Sequence, residues 1–249
     1  MRHAFELGYR LVDTAEMYGE GAAEEIVGQS LSEALSSGVI RREVVYVVSK
    51  VYPHNASRRG LPAACDRSRR RLRLDSIDCY LLHWAGSHPL AETVETFESL
   101  QVQGRIGAWG VSNFDTVDMA ELWRLDAGPR CATDQVYYSL TERGPDHDLL
   151  PWLKLRGLPL MAYSPIDQGR LASEPALTAL AERVGLTPAQ LALAWCVSRP
   201  GVIAIPKAVQ EAHLRENLHA AKVQLDAGTL SELDQRFPPP LGKVPLAMI

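Results

Sequence analysis

Short apolar runs alternate with amphipathic stretches along almost the whole chain, and this alternation limits the folds that it can adopt. The runs are bounded by turn residues, and most are too uniformly apolar to have a side that faces water, which is typical of strands in a parallel sheet. We predict strands at residues 10–14, 44–50, 77–84, 108–113, 133–139, 159–165 and 202–207. Strands that alternate with helices form βαβ units, so we expect an α/β fold with a parallel sheet.

The segments between the strands carry helix signals. Thr187, Pro188 and Gln190 form a capping box with a proline at the first helical position. Asp115 can cap a helix that continues through Leu125. No Gly-x-Gly-x-x-Gly follows a predicted strand, which disfavours a doubly wound dinucleotide-binding fold. A (β/α) barrel, with its chemistry at the carboxyl ends of the strands, remains.

Composition narrows the function classes. The chain has 249 residues, enough for one large domain over 1–249. Its formal net charge of -4 argues against a general affinity for nucleic acid, and no apolar run approaches membrane-spanning length. The four cysteines form no C-x-x-C pair and the amino terminus does not resemble a signal peptide, so we expect a cytoplasmic protein.

Two surface segments are also predicted. Arginines at 67, 69, 70, 71 and 73 lie in a helical stretch, where a solvated outer face explains them better than a phosphate-binding patch. Residues 142–146 have the composition of an exposed connection. Neither segment is expected to carry chemistry.

Polar residues recur at or near the carboxyl ends of the predicted strands. They are Asp13, Lys50, His83, Ser112, Asn113, Gln135, Tyr163, Ser164 and Lys207. For each one alone, a structural role is at least as good an explanation. Their shared placement at the same end of successive strands is hard to produce by packing alone, so we interpret this end as a candidate active site.

A phenol follows the first of these residues. Tyr18 comes five positions after Asp13, in a turn closed by Gly19 and Gly21. In a barrel, a strand-end carboxylate and a phenol on the next loop can present an acid and its electrostatic support to a substrate. An aspartate that caps the following helix, beside a half-exposed tyrosine, explains this stretch taken alone better.

Ordered motifs run along essentially the whole chain. They are GYRLVDTA at 8–15, YG at 18–19, VSK at 48–50, LLHW at 81–84, WGVSNF at 109–114, QV at 135–136, AYSP at 162–165, IPK at 205–207 and EN at 216–217. With these motifs in this order the sequence resembles the aldo-keto reductases, and most closely the bacterial branch that reduces small aldehydes and ketones. The resemblance implies a (β/α)8 TIM-type barrel.

The resemblance also implies a catalytic tetrad of Asp13, Tyr18, Lys50 and His83. Hydride transfer to a carbonyl leaves negative charge on oxygen, which needs a donor already aimed at it. Tyr18 would be the general acid, and the Lys50 ammonium would favour its phenolate form. Asp13 would keep Lys50 charged and oriented, while His83 would donate a hydrogen bond to the substrate oxygen.

The family uses a nicotinamide cofactor, normally NADPH, without a glycine-rich loop. By resemblance, Ser112, Asn113 and Gln135 hold the carboxamide and Tyr163 stacks on the nicotinamide ring. The remaining cofactor contacts implied are the pyrophosphate and 2′-phosphate region and the adenine, at Ser164, Pro165, Gln168, Gly169, Lys207, His213, Glu216 and Asn217. Trp84 and Met17 could line the substrate pocket, although core packing explains Met17 equally well.

The sequence departs from the family where the 2′-phosphate is gripped. NADPH-preferring members commonly have Ser or Thr directly after the strand-ending lysine and Arg six positions after it; this chain has Ala208 and His213. A neutral histidine recognises phosphate less well than arginine does. Arg215 either compensates or points outward. We therefore expect NADPH as the first choice with NADH also used.

A second departure lies at the start of the chain. The family has a β-hairpin, a first barrel strand and a helix before Gly8, whereas residues 1–7 match only the end of that helix. We therefore expect seven of the eight barrel strands, either in a fragment or in a natural truncation. The leading function is reduction of small carbonyl compounds; the alternative is a cofactor-binding regulatory or scaffold protein with little or no turnover.

Overall fold

The computed structural model describes all 249 residues, and the chain divides into two compact units, Met1–Thr133 and Asp134–Ile249. Each unit is an α/β assembly of parallel strands and helices. The single domain over 1–249 stays a prediction. No helix in either unit is long and apolar enough to cross a membrane.

The first unit contains four parallel strands in the order of the sequence. They are β1 (Leu11–Asp13), β2 (Tyr46–Val51), β3 (Ile77–Leu82) and β4 (Ile106–Ser112). Five helices accompany them: α1 (Arg2–Leu7), α2 (Ala22–Ser36), α3 (Gly60–Leu72), α4 (Leu90–Val102) and α5 (Thr116–Trp123). As predicted, the chain enters β1 from the end of a helix.

The second unit contains three parallel strands, again in sequence order. They are β5 (Asp134–Tyr137), β6 (Leu160–Tyr163) and β7 (Val202–Ala204). Its helices are α6 (Leu149–Leu155), α7 (Pro175–Arg183), α8 (Pro188–Ser198), α9 (Glu211–Ala220) and α10 (Ala227–Arg236). All seven predicted strands are therefore present, most of them shorter than predicted.

The predicted helix starts are confirmed. The Thr187 hydroxyl accepts from the Gln190 amide at 3.2 Å, and the Gln190 side chain accepts from the Thr187 amide at 2.9 Å. The Asp115 carboxylate accepts from the amides of Val117 and Asp118, and the Asp118 side chain completes a second capping box. Each box satisfies amides that a helix start otherwise leaves without a partner.

The interpretation of residues 142–146 as an exposed connection is wrong. Arg143 is 5% exposed, and Pro145 beside it is buried. The Arg143 guanidinium donates to Asp146 and Asp234, each at 2.7 Å, and to the Phe237 carbonyl. Because a buried guanidinium is stable only when its donors are paired, this loop is a structural anchor of the second unit.

The basic run lies mostly on α3, as predicted, and most of its charges are paired. Ion pairs join Arg67 to Glu16, Arg69 to Asp66, and Arg71 to Glu24. Arg70 and Arg73 are exposed. This pattern agrees with a solvated helix face whose inner edge is tied to neighbouring elements by ion pairs.

Candidate active site

The register of the first three strands places three of the four predicted tetrad side chains on one face. Asp13 pairs with Val48, and Lys50, two residues after Val48, pairs with Leu81. His83 lies two residues after Leu81, and its amide donates to the Val51 carbonyl. Because side chains alternate along a strand, Asp13, Lys50 and His83 share a face at the carboxyl end.

The ammonium of Lys50 is fully buried, and its partners match its three N–H donors. It donates to Asp13 Oδ2 at 2.7 Å, to the Thr14 carbonyl at 2.9 Å and to the Tyr18 hydroxyl at 3.3 Å. The Asp13 carboxylate provides the opposite charge that a buried ammonium requires. The Lys50 ammonium is therefore paired with a counter-charge and aimed at the Tyr18 oxygen.

Tyr18 combines a fixed position with an open face. Its amide donates to the Ala15 carbonyl at 3.2 Å, which closes a turn directly after β1. Its hydroxyl accepts from Lys50, and the ammonium also lies 4.9 Å from the centre of the ring. The side chain is 39% exposed. A hydroxyl that accepts a hydrogen bond from an ammonium still has its own O–H to donate, so this phenol can donate to a molecule in front of it.

His83 stands beside Tyr18 and is neutral. The two rings meet edge to face with their centres 5.8 Å apart. Burial, with a smaller contribution from the Lys50 ammonium, lowers the pKa of His83 to about 3. A neutral imidazole carries one ring proton, so at neutral pH His83 can donate a hydrogen bond without carrying charge.

This pKa predicts a pH dependence of stability. Between about pH 3 and pH 6.5 the unfolded chain protonates His83 and the folded protein does not, so the free energy of unfolding falls as the pH falls. Between pH 7.5 and pH 5.5, the free energy of unfolding of wild type should fall by about 1.4 kcal/mol more than that of His83→Asn, which has no titrating ring at this position. Urea unfolding at both pH values measures this difference. An identical pH dependence in the two proteins would contradict a neutral buried His83.

The predicted substrate residues lie around these groups. Met17, in the turn before Tyr18, is 40% exposed rather than packed in the core. The Trp84 ring lies 4.9 Å from His83 and meets the Tyr52 ring edge on at 6.0 Å. Tyr52 follows Lys50 by two positions and was not predicted. These apolar side chains could contact the organic part of a substrate.

Two predicted cofactor residues end β4 in the first unit. Asn113 has a positive φ of 59°, a left-handed conformation that asparagine tolerates better than most residues. Its side-chain amide donates to the His83 carbonyl at 3.0 Å and to the Ser112 hydroxyl at 3.1 Å. The structure therefore ties Ser112 and Asn113 to the loop that carries His83, and amide and hydroxyl groups suit a carboxamide.

The second unit carries the other predicted cofactor residues. Gln135 is buried on β5, and the Tyr163 ring stacks on Tyr137 with their centres 5.6 Å apart. After β6 the loop has positive φ at Ser164, Gln168 and Gly169, with Pro165 buried between them. Successive residues in such conformations can turn their amides toward an anion, which fits a pyrophosphate.

The loop after β7 and helix α9 hold the remaining predictions. Lys207 is exposed after the end of β7, and His213 is exposed on the first turn of α9. Glu216 and Asn217 are half-buried on the same helix. Arg215 is ion-paired with Glu211 at 2.6 Å and is 63% exposed at its side chain. Of the two possibilities for Arg215, the outward orientation is the one observed.

Comparison with known proteins identifies the family and several relatives of this chain. The model of the aldo/keto reductase family matches residues 1–236. The chain belongs to this family. It is 46% identical to the methylglyoxal reductase YeaE of Escherichia coli over 100% of this chain and 87% of that protein. It is also 34% identical to the glyoxal reductase of Bacillus subtilis, over 94% of this chain and 81% of that one.

A solved aldo-keto reductase has the same fold. The enzyme of Klebsiella pneumoniae, crystallised with NADPH, superposes with a TM-score of 0.94 and 45% identity. The match covers 100% of this chain and 87% of that one. The predicted family and its barrel class, with seven parallel strands in this chain, are therefore confirmed. The assignment of individual residues to catalysis and cofactor binding stays a prediction.

Sequence reasoning missed two buried carboxylates in the first unit of this aldo-keto reductase. Glu24 is fully buried, where it accepts from the Ser49 hydroxyl at 2.6 Å and pairs with Arg71. Glu16 is 5% exposed and accepts from the Tyr52 amide at 2.7 Å. The only signal in the sequence is an acidic residue at a position where the hydrophobic pattern expects an apolar one. This signal does not identify the partner of the carboxylate.

Proposed function

We propose that this aldo-keto reductase uses NADPH to reduce the carbonyl group of small aldehydes or ketones to an alcohol, with Tyr18 as the general acid. The observation that carries the proposal is the Tyr18 hydroxyl, which is open to a ligand on one side and hydrogen-bonded to a fully buried ammonium on the other. A phenol in this setting can donate a proton and have the resulting negative charge stabilised.

The side chains of the tetrad then have distinct tasks. Tyr18 gives its proton to the carbonyl oxygen as negative charge develops there, and Lys50 stabilises the phenolate that remains. Asp13 holds the ammonium in place through the 2.7 Å ion pair. Neutral His83 donates its ring N–H to the same carbonyl oxygen and fixes its direction. A reduced nicotinamide, when bound, supplies the hydride for the carbonyl carbon.

The residues of the chain also suit that nicotinamide cofactor. Ser112 and Asn113, at the end of β4, would hold its carboxamide together with Gln135, and Tyr163 would stack on the ring. Four residues of the loop after β6 and four of the β7–α9 segment would bind the pyrophosphate, 2′-phosphate and adenine; these are Ser164, Pro165, Gln168, Gly169, Lys207, His213, Glu216 and Asn217.

The substrates to try first are small 2-oxoaldehydes. Two relatives are named for reduction of methylglyoxal and glyoxal, which are compact dicarbonyl compounds. Near Tyr18, the apolar groups Met17, Tyr52 and Trp84 offer contact to a short organic chain. The buried cation beside Tyr18, Lys50, is already paired with Asp13, so it does not select an acidic substrate. Such a site recognises mainly the carbonyl group itself.

The direct experiment follows the absorbance of NADPH after addition of methylglyoxal, glyoxal or a simple aldehyde. We expect consumption of NADPH that depends on the carbonyl compound, with formation of the corresponding alcohol. Quenching or enhancement of NADPH fluorescence on binding is measured separately. Binding without turnover of any carbonyl compound would favour the regulatory alternative over an enzyme.

Cofactor choice gives a second prediction. We expect His213→Arg to lower the Kd for NADPH about tenfold, since an arginine adds charge-assisted hydrogen bonds to the 2′-phosphate. The Kd for NADH, which lacks that phosphate, should change little. His219→Arg adds the same charge nearer the end of α9 and is the matched control. Equal tightening of both cofactors, or the same effect of the control, would contradict a role for position 213.

A further inference from the structure

We propose that Glu16 is a positioning residue that holds the turn carrying Tyr18 against the segment after β2; as a role in carbonyl reduction, it rests on the proposed function. Glu16 is the second residue of the turn that the Tyr18 amide closes on the Ala15 carbonyl. Its side chain is 5% exposed and does not point into solvent as those of Met17 and Tyr18 do. A buried carboxylate must be compensated by donors, so its partners determine where the turn lies.

The donors come from a segment distant in sequence. Glu16 Oε1 accepts from the Tyr52 amide at 2.7 Å and from Asn55 Nδ2 at 3.0 Å. Glu16 Oε2 faces the Arg67 guanidinium of α3 at 3.5 Å. The Glu16 amide donates to the Lys50 carbonyl at 3.2 Å. The backbone and the side chain of one residue thus bind the turn to both ends of the Lys50–Asn55 stretch.

A second contact joins the same two segments, at a residue that follows Tyr18 in the sequence. The Tyr52 hydroxyl donates to Glu20 Oε1 at 3.1 Å, at an exposed position. In the sequence, Tyr18 therefore lies between Glu16 and Glu20, whose carboxylates both accept hydrogen bonds from Tyr52. The Glu16 contact is buried and charged, so it should contribute more to holding the phenol than the exposed one does.

The position of the phenol matters because its contact with Lys50 is long. The ammonium donates to the Tyr18 hydroxyl at 3.3 Å, compared with 2.7 Å to Asp13. A further displacement of the turn by about 1 Å would break this hydrogen bond, and such a displacement at a reacting group can cost about a hundredfold in rate. Glu16 thus acts through Tyr18, without touching substrate or cofactor.

The test compares Glu16→Ala with Glu16→Gln. Alanine removes every acceptor, and we expect kcat to fall about 30-fold, with KM and the Kd for NADPH little changed. Glutamine keeps an acceptor for Tyr52 and Asn55, so kcat should return to within about threefold of wild type. The solvent deuterium isotope effect on kcat should rise in Glu16→Ala, because proton donation by the displaced phenol becomes slower.

A matched control separates positioning from loss of a buried carboxylate. Glu24→Gln removes a charge that is buried as deeply and paired with an arginine of the same helix, α3. We expect it to lower the midpoint of urea unfolding while kcat stays within about twofold of wild type. Asn55→Ala removes one of the donors to Glu16. It should lower kcat as Glu16→Ala does, but by a smaller factor.

Amide hydrogen exchange provides a readout that needs no turnover. In Glu16→Ala, residues 14–18 and the Tyr52 amide should exchange about tenfold faster than in wild type, and in Glu24→Gln they should not. If wild type reduces no carbonyl compound, the proposed function fails, and the exchange rates still decide whether Glu16 holds the turn. Unchanged exchange in Glu16→Ala and Asn55→Ala would overturn the inference. Equal losses of kcat in Glu16→Ala and Glu16→Gln would also overturn it, because the charge and not the contact would then matter.

Discussion

Tyr18→Phe should lower kcat for carbonyl reduction about a thousandfold, within the range that removal of a general acid usually gives. Phenylalanine keeps the ring but removes the hydroxyl that accepts from Lys50 at 3.3 Å. No other group of the first unit is both open to a ligand and hydrogen-bonded to Lys50. The carbonyl oxygen would then have to take its proton from water. The phenolate that Lys50 stabilises in wild type could no longer form.

The measurement is NADPH consumption at saturating methylglyoxal, together with NADPH binding followed by fluorescence. Cofactor binding should be unchanged, because the phenol is assigned no contact with the nucleotide. Tyr46→Phe removes a phenol from the opposite end of β2 and should turn over like wild type. Undiminished reduction by Tyr18→Phe would mean that another group donates the proton.

Asp13→Asn should cost about 3 kcal/mol of folding free energy and most of the activity. The substitution preserves the shape of the side chain but removes the only negative charge bonded to the Lys50 ammonium, which is 0% exposed. The ammonium keeps only neutral acceptors at the Thr14 carbonyl and the Tyr18 hydroxyl. A buried charge without a counter-charge is costly, and a less firmly held Lys50 supports the phenol less well.

Urea unfolding of the two proteins at pH 7.5 measures this loss. Asp66→Asn is a suitable control. Like Asp13, Asp66 is in an ion pair, but its partners are two arginines at partly exposed positions. Exposed pairs contribute less, so this control should lose under about 1 kcal/mol. A loss for Asp13→Asn no larger than that of the control would show that the buried pair is not required for stability.

Much of the fold could be predicted because its strands are continuous apolar runs, and parallel strands buried on both faces look like this in sequence. The strand ends were less predictable. We predicted a strand to Lys207, whereas β7 ends at Ala204; one further bond joins the Ile205 amide to Ala162, and Pro206 has no amide to continue the pairing. The start of β2 was also misplaced: we predicted it at residue 44, but Arg42–Val44 form a 3-10 turn and β2 begins at Tyr46.

The four tetrad positions could be proposed from the resemblance to the family, and three of them, Asp13, Lys50 and His83, lie at or near the ends of adjacent strands. The contacts that hold these side chains in place could not be predicted. Glu16 binds donors 36 and 39 residues away, and Arg143 binds Asp234, 91 residues away. A local pattern can indicate that a residue is polar or near a turn, but the identity of a distant partner depends on how the elements pack. The buried anchors around the candidate site are therefore the part that needed the structure.

The buried cysteines bear on how the chain would tolerate a reactive substrate. All four thiols are buried, and burial raises the pKa of Cys65, Cys79 and Cys196 to about 12. At neutral pH roughly one molecule in 10⁵ then carries a thiolate at any of these positions, and the thiolate is the form that attacks electrophiles. Dicarbonyl compounds modify proteins by such reactions. If this chain reduces dicarbonyl compounds as proposed, the burial of these residues keeps its own sulfur out of reach of the substrate.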